Sequence, residues 1–282
     1  MTREHTKSAV VTGASTGIGA ATVAELVGRG YRVWAGVRSD ADAERLAAEY
    51  GDKVSVLRLD ITDPAAVAAA GEQVTAAGPL DALVNNAGVA LPGPLEYLPI
   101  TVLREQLEVN LLGQLAVTQA MLPALRAAAD PPGRILMIGS IGGRIAGPLL
   151  GAYSTSKFGL VGLSDTLRAE LAPWGIRVVL IEPGAIATPI WQRGAARSDE
   201  ILASMPAGAA ERYAKQLTQV RKTAARAEQR GMPAAVAAGV IANALTHPRP
   251  RPRYLVGRDA MAGSMLARLP FRLRYRLTAA RG

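Results

Sequence analysis

From Ser8 to Val256 the chain alternates short β-branched runs with helix-patterned stretches, and that rhythm limits what it can fold into. "SAVVTG" (Ser8 to Gly13), "YRVWAGV", "KVSVLRLD", "LDALVNNAG", "GRILMIGS", "IRVVLIEPG" and the short "RYLVG" read as buried strands. Between them lie helical stretches. "IGAATVAELVGRG" stops at Gly30, "DADAERLAAEY" carries Asp40 near its start, and "DPAAVAAAGEQVTAAG" has Asp63 at the cap and Pro64 at the first helical position. A long helix is expected over Thr101 to Ala128, another over Tyr153 to Ala172, and a last one in "PAAVAAGVIANALTH". Strand–helix–strand repetition implies right-handed crossovers and a parallel sheet covered on both faces. No internal linker or repeat interrupts it, so residues 1–282 read as one α/β domain.

Two stretches depart from the rhythm. Residues 187–230 are rich in Ala, Gly, Arg and Gln and show no strand; a segment of that length in a compact domain reads as a lid over a substrate or as a surface insertion. Residues 258–282 form a basic C-terminal tail. The net charge is +9, and Arg249 to Gly282 holds nine arginines against the single acid Asp259. The body is thus near neutral, which argues against a nucleic-acid-binding surface.

Composition narrows the chemistry. There is no cysteine, and the two histidines are His5 in the polar leader and His247 before a proline. Disulfides, thiolate metal sites and histidine metal clusters are excluded, and no metal is expected. Any proton chemistry must use other groups. The leader "MTREHTKSAV" lacks an apolar run and no membrane-spanning stretch occurs, so the cytoplasm is the expected location.

"TGASTGIG" (Thr12 to Gly19) joins the first strand to the first helix. Gly13 suits a tight turn, Gly17 lets backbone approach a pyrophosphate, and Gly19 allows close helix–strand packing. The helix N-terminus then offers free N–H groups to phosphate oxygens. Further on, "GAYSTSKFGL" sets Tyr153 and Lys157 at i and i+4, on one helix face. An ammonium there favours phenolate and is expected to lower the pKa of the phenol from its ordinary value near 10. Such a tuned phenol can act as a general acid or base, supplying what the missing histidines cannot.

These motifs resemble the short-chain dehydrogenase/reductase family, whose glycine pattern is Thr-Gly-x-x-x-Gly-x-Gly. Family elements recur in order over about residues 8 to 260: Leu59–Asp60, "NNAG" (Asn85 to Gly88), Asn110, Ser140, Tyr153-x-x-x-Lys157, and Pro183–Gly184 with Thr188 four residues on. The resemblance implies a Rossmann-type doubly wound parallel sheet and a nicotinamide cofactor. It implies Tyr153 as proton carrier and Lys157 as its pKa modulator and ribose ligand. Ser140 would hold the substrate oxygen, and Asn110 a water that relays protons from Lys157. Cofactor contacts are implied for Gly13, Ser15, Thr16, Gly17, Ile18, Gly19, Arg38, Asp60, Ile61, Asn86, Ala87, Gly88, Tyr153, Lys157, Pro183, Gly184, Ile186 and Thr188.

The stretch "GLSDTLRAELAPWGIRVVLIEPG" resembles the retinol and hydroxysteroid dehydrogenase branch, which implies a hydrophobic alcohol or ketone as substrate. Leu149, Leu150, Pro189, Ile190 and Trp191 are candidates to line its pocket. At the end of the second strand Val37 stands where NAD-selecting members carry an acid, and Arg38 follows where a guanidinium can grip a 2′-phosphate. NADP is therefore expected; NAD is the alternative if Asp40 turns back onto the ribose. A homodimer or homotetramer through the long helices is also implied. The rival reading is a non-catalytic dinucleotide sensor or membrane-surface binder on the same fold. "MLARLPFRLRYRL" interleaves arginine with Leu, Phe and Tyr, as membrane-surface segments do, but the reading adopted is a solvated arginine face packed on the body by its leucines.

Overall fold

A computed structural model of the chain describes residues 6–128 and 132–279. His5 with the start of the leader, and Arg281 with the end of the basic tail, lie outside the described residues, as does the side chain of Tyr275. The first half runs β1 (Ser8–Thr12), α1 (Gly17–Gly28), β2 (Arg32–Val37), α2 (Asp40–Tyr50), β3 (Val54–Arg58), α3 (Pro64–Ala77), β4 (Ala82–Asn85), α4 (Ile100–Leu107) and α5 (Gly113–Ala127). It continues with β5 (Arg134–Ile138), α6 (Gly151–Leu171), β6 (Arg177–Pro183), β7 (Ile186–Ala187), α7 (Ile190–Ala203), α8 (Ala209–Arg212) and α9 (Ala214–Arg230). Last come β8 (Met232–Pro233), α10 (Ala234–Thr246), β9 (Arg253–Val256), α11 (Arg258–Ala267) and α12 (Phe271–Ala279).

Seven strands form one parallel sheet in the order β3-β2-β1-β4-β5-β6-β9. The order reverses between β1 and β4, which opens a crevice at the carboxyl ends of those strands. Strand residues alternate between the two faces. Val10, Leu83, Ile135, Met137, Val178 and Leu180 pack with α3, α5 and α6. Their neighbours Ala9, Val11, Val84, Leu136, Val179 and Ile181 pack with α1, α2 and α10. Both faces are therefore apolar, as a doubly wound sheet requires.

The local signals act as expected. Asp63 accepts from the Ala65 N–H at 2.9 Å and caps α3, with Pro64 first in the helix. Ser39 caps α2 through the Asp42 N–H. The glycine stop of α1 is a Schellman closure: Gly30 (φ +81°) donates to Val27 O and Tyr31 to Leu26 O, both at 3.0 Å.

Three readings change. The long helix is divided by a π-helical turn at Glu108–Leu112. The stretch from residue 187 opens on the two-residue strand β7, which pairs in parallel with β8. The tail, read only as a basic segment, forms α11 and α12.

Candidate active site

A cleft of about 1940 Å³ opens at the carboxyl end of the sheet, bounded by the glycine turn, the loops after β2 to β6, and helices α6, α7, α9 and α11. A small-molecule pocket typically measures about 300–1,000 Å³, so there is room for a dinucleotide and a second molecule. At the turn, Gly13 and Gly17 take φ of +61° and +58°, and a Cβ on Gly13 would sit 2.9 Å from Ala87 Cα. Unlike α2 and α3, α1 has no side chain capping its N-terminus, since Thr16 at the cap makes no such bond. Its first N–H groups are thereby left to an anion, and the turn fits a pyrophosphate.

The far end of the cleft carries the charge pattern. Arg38 and Asp60 both line it. Burial pushes the Asp60 carboxyl up, but two hydrogen bonds from Thr62 and the Arg38 guanidinium outweigh that and hold it below the usual range. Val37, at the position an acid would take, is 2% exposed. Asp40 is not on the cleft wall; it pairs with Arg58 at 3.1 Å on the surface. Arg45, which the sequence reading passed over, donates to Ser15 O of the turn at 2.8 Å.

The loop after β4 is held by a ladder of polar side chains from the long helix. Thr118 accepts from Asn85 Nδ2 at 2.8 Å, and Gln114 donates to Ala87 O. Asn110 accepts from Val89 N and donates to Val89 O, both at 2.9 Å. Gln106 accepts from Leu91 N and donates to Val89 O, both at 2.8 Å. Every fourth helical residue thus meets every second residue of the loop. The match is geometric: four helical residues rise about 6 Å and two extended residues about 6.6 Å. The four side chains are at most 1% exposed. The π turn, with more residues per turn, slows the drift of this stripe around the helix; such bulges occur often at functional sites. Only Asn110 was singled out from sequence, although uncharged polar residues recurring every four positions at 106, 110, 114 and 118 were a legible signal. Thr12 completes the support, its hydroxyl accepting from Asn86 N and Ala87 N.

Ser140, Tyr153 and Lys157 meet on the cleft wall. Ser140 leaves β5 in an extended conformation, and its Oγ accepts from Gly142 N at 3.0 Å. The loop can lie against α6 only because of its glycines: a Cβ on Gly142 would be 3.1 Å from the Tyr153 ring, and one on Gly143 would be 2.8 Å from Lys157 O. The buried Lys157 ammonium donates to Ile138 O at 2.8 Å and lies 5.8 Å from the Tyr153 ring centroid. Burial lowers the Lys157 pKa to about 8. The expected lowering of the Tyr153 pKa is reversed. Its hydroxyl lies deep, burial raises its pKa above the ordinary value, and the Ser140 hydroxyl supplies the opposing pull.

Most of the residues implied for the site line the cleft: Gly13, Ser15 to Ile18, Arg38, Asp60, Ile61, Asn86 to Gly88, Pro183, Gly184, Ile186 and Thr188 join the three above. Two do not. Gly19 lies under the turn, where a Cβ would be 2.1 Å from Gly13 O, so its part is packing. Asn110 is fully buried behind the wall, bonded to Val89 and to Ser156 Oγ. Of the apolar candidates, Leu150, Pro189, Ile190 and Trp191 line the cleft, while Leu149 (φ +62°) is packed away from it.

Further site residues went unread. Glu182, wholly buried in β6, is gripped by Arg144 through both carboxylate oxygens, and Arg144 also donates to Ser264 of α11 at 3.0 Å. Asp259 accepts from Ala185 N. The two contacts fasten α11 across the loops that follow β5 and β6.

Comparison with known proteins agrees with this geometry. The short chain dehydrogenase family model matches residues 7–199. The chain is 38% identical over 253 residues to the NADPH-dependent 3-dehydrocapnine reductase of Ornithobacterium rhinotracheale, covering 88% of this chain and 87% of that one. It is 35% identical over 266 residues to 17-beta-hydroxysteroid dehydrogenase type 6 of Bos taurus, covering 90% and 81%; retinol dehydrogenases also match. Among solved structures, a short chain dehydrogenase from Burkholderia cenocepacia J2315 in complex with NADP superposes with a TM-score of 0.75 at 28% identity, covering 96% of this chain and 97% of that one.

Proposed function

The chain belongs to the short-chain dehydrogenase family, and from that premise we propose that it interconverts a hydrophobic alcohol and ketone with NADP(H), using Tyr153 as the proton carrier. The observation that carries the reading is the meeting of the Tyr153 phenol, the Ser140 hydroxyl and the Lys157 ammonium on the wall of the cleft that also holds the glycine turn. The cofactor, when bound, supplies or accepts the hydride. Ser140 orients and polarises the substrate oxygen. Tyr153 gives that oxygen a proton in reduction and takes it back in oxidation. Burial raises the pKa of this phenol; the positive charge of the Lys157 ammonium and of a bound oxidised nicotinamide would pull the other way, toward the range in which a phenol can give and take a proton near neutral pH. Asn110 fixes the loop beside them, and its role in proton relay is part of the same proposal. Residues 187–230 act as the lid, and Ile141, Leu150, Ile190 and Leu266 give the substrate its apolar surroundings. Leu112 and Phe158, 51% and 47% exposed on the long helices, are suited to pairing with a second copy.

The preference for NADP(H) rests on Arg38 in the cleft, with Asp40 held outside it by Arg58. It is supported by the NADPH-dependent reductase and the NADP complex among the similar proteins. Titration calorimetry on the wild-type protein is expected to give several-fold tighter binding of NADPH than of NADH, with a smaller gap in Arg38→Ala. Equal affinities in the wild type would remove Arg38 as the phosphate reader. Catalysis is tested by following NADPH absorbance with a panel of apolar ketones. Tyr153→Phe should keep the fold and the cofactor affinity while turnover falls about 10²–10⁴-fold. A variant retaining more than about a tenth of the wild-type rate would end the assignment of Tyr153, since a general acid contributes far more than that.

A further inference from the structure

The basic tail was expected to pack its leucines on the body. It does so only in part: Leu266 and Leu269 are half-buried, whereas Leu273 and Leu277 of α12 are 46% and 43% exposed, and Met261 and Met265 of α11 are 54% and 70% exposed. Each pair is spaced i, i+4 and so shares a helix face. On α12 the exposed Arg272 and Arg276 form a second i, i+4 stripe, offset from the leucines by one residue, or about 100° around the helix. Arg274 turns inward, donating to Ala267 O and lying over the Phe271 ring. From Ala260 to Ala279 the sequence holds four arginines and no acid. The nearest acidic residue in sequence, Asp259 at the start of α11, accepts from Ala185 N. On α12 an apolar stripe therefore runs beside a cationic one, in a stretch that contains no acidic residue.

On α11 this face adjoins the cleft. Ala262 and Leu266 line the cleft, and Met261 and Met265 form the stripe one residue away. Ser264, on the buried side, is held by Arg144, so the helix is fixed to the body when its outer face is engaged.

We infer that α11 and α12 dock the protein on an anionic lipid bilayer, with Leu273, Leu277, Met261 and Met265 entering the headgroup boundary and Arg272 and Arg276 meeting lipid phosphates. Apolar side chains beside arginines fit such a boundary, where the arginine charge stays with the headgroups and the leucines leave water. A neutral apolar partner would leave the arginines without complement. Docking in this way sets the cleft rim beside the phase in which an apolar substrate dissolves. The inference goes beyond the proposed reaction and its test needs no turnover.

The test is flotation of the full chain with phosphatidylcholine vesicles, with and without phosphatidylglycerol. The wild type is expected to float with the anionic vesicles at low salt and to be released as salt screens the arginines. Arg272→Ala with Arg276→Ala should weaken partitioning about 30-fold, at roughly a factor of five for each arginine. Leu273→Ser with Leu277→Ser should weaken it further without restoring salt dependence. These side chains are exposed, so the variants keep the fold. Absence of flotation with anionic vesicles, or equal flotation of wild type and the fourfold variant, overturns the proposal. So does a drop in light-scattering mass in the fourfold variant, which would make this face a contact between copies of the chain.

Discussion

The loop after β4 and the cover formed by α7 to α9 border the same cleft, yet they are held by opposite means. The loop hangs on side chains buried to 1% or less, each bonded to backbone or to another buried group. The cover is tied by a few buried apolar side chains, Ile201, Leu217 and Ala227 among them, and by ion pairs in water. Arg221–Asp199 joins α9 to α7 with side chains 57% and 62% exposed, and Arg197–Glu105 joins α7 to α4 with 40% and 46%. A buried bond left unmade costs about 1–3 kcal/mol, whereas an exposed pair contributes about 0–1 kcal/mol. The wall that must keep its shape for chemistry is built to be rigid. The cover, the lid of the proposed reaction, has polar ties that break cheaply.

Gln106→Leu is the strongest way to break this comparison. It leaves the buried Leu91 N–H without its acceptor and removes one of two donors to Val89 O. A loss of about 2–3 kcal/mol is expected in denaturant unfolding, from the unpaired groups alone. That corresponds to a fall in Tm of roughly 5–10 °C for a domain of this size. A change within about 0.5 kcal/mol, as surface substitutions give, would mean that the ladder adds little to stability.

Lys157 sharpens the comparison, because it is a buried charge in the rigid wall. Its pKa is lowered from 10.5 to about 8 by burial. Below pH 8 both native and unfolded states carry the proton, and the native state pays for a buried ammonium. Between about pH 8 and 10.5 the unfolded state binds more protons, so stability rises with pH across that window. Two to three pKa units amount to about 3 kcal/mol, of which the hydrogen bond to Ile138 O offsets about 1–2 kcal/mol. Lys157→Met is therefore expected to raise stability at pH 7 by about 1–2 kcal/mol while weakening cofactor binding. The advantage should shrink as the pH is raised through the window. Unfolding curves for both proteins at pH 7 and pH 10 decide it, and a variant less stable than wild type at pH 7 would refute the burial cost.

What the sequence made legible follows the same division. The sheet, its crossovers and the glycine turn were readable because each rests on local periodicity or on a residue that alone permits a geometry, such as Gly17 at φ +58°. Tyr153, Lys157 and Ser140 were readable through motif order. The ladder was partly hidden: its spacing of four lies in plain view, but its partners are backbone groups, which carry no sequence signal. Arg144 and Glu182, separated by 38 residues, became a pair only when β5 and β6 stood side by side. The sign of the Tyr153 shift was misjudged because neighbouring charge was counted and burial was not. The helices of the tail were missed because an arginine-rich composition drew the reading toward a solvated segment.

The smallest expected effect lies in the cover, and it is the one that isolates mobility from stability. Arg221→Ala removes the exposed pair between α9 and α7 and leaves no buried group unpaired. Global stability should change by less than about 0.5 kcal/mol. Local opening is another matter, since a helix held by few buried side chains samples openings well below the global free energy. In α9 only Leu217 and Ala227 are buried. Amide hydrogen exchange should therefore quicken across Ala214–Arg230 in the variant and stay unchanged in β4, β5 and the first turns of α6. If exchange quickened equally in both regions, the cover and the rigid wall would be one cooperative unit, and the contrast in how they are held would not translate into a contrast in motion.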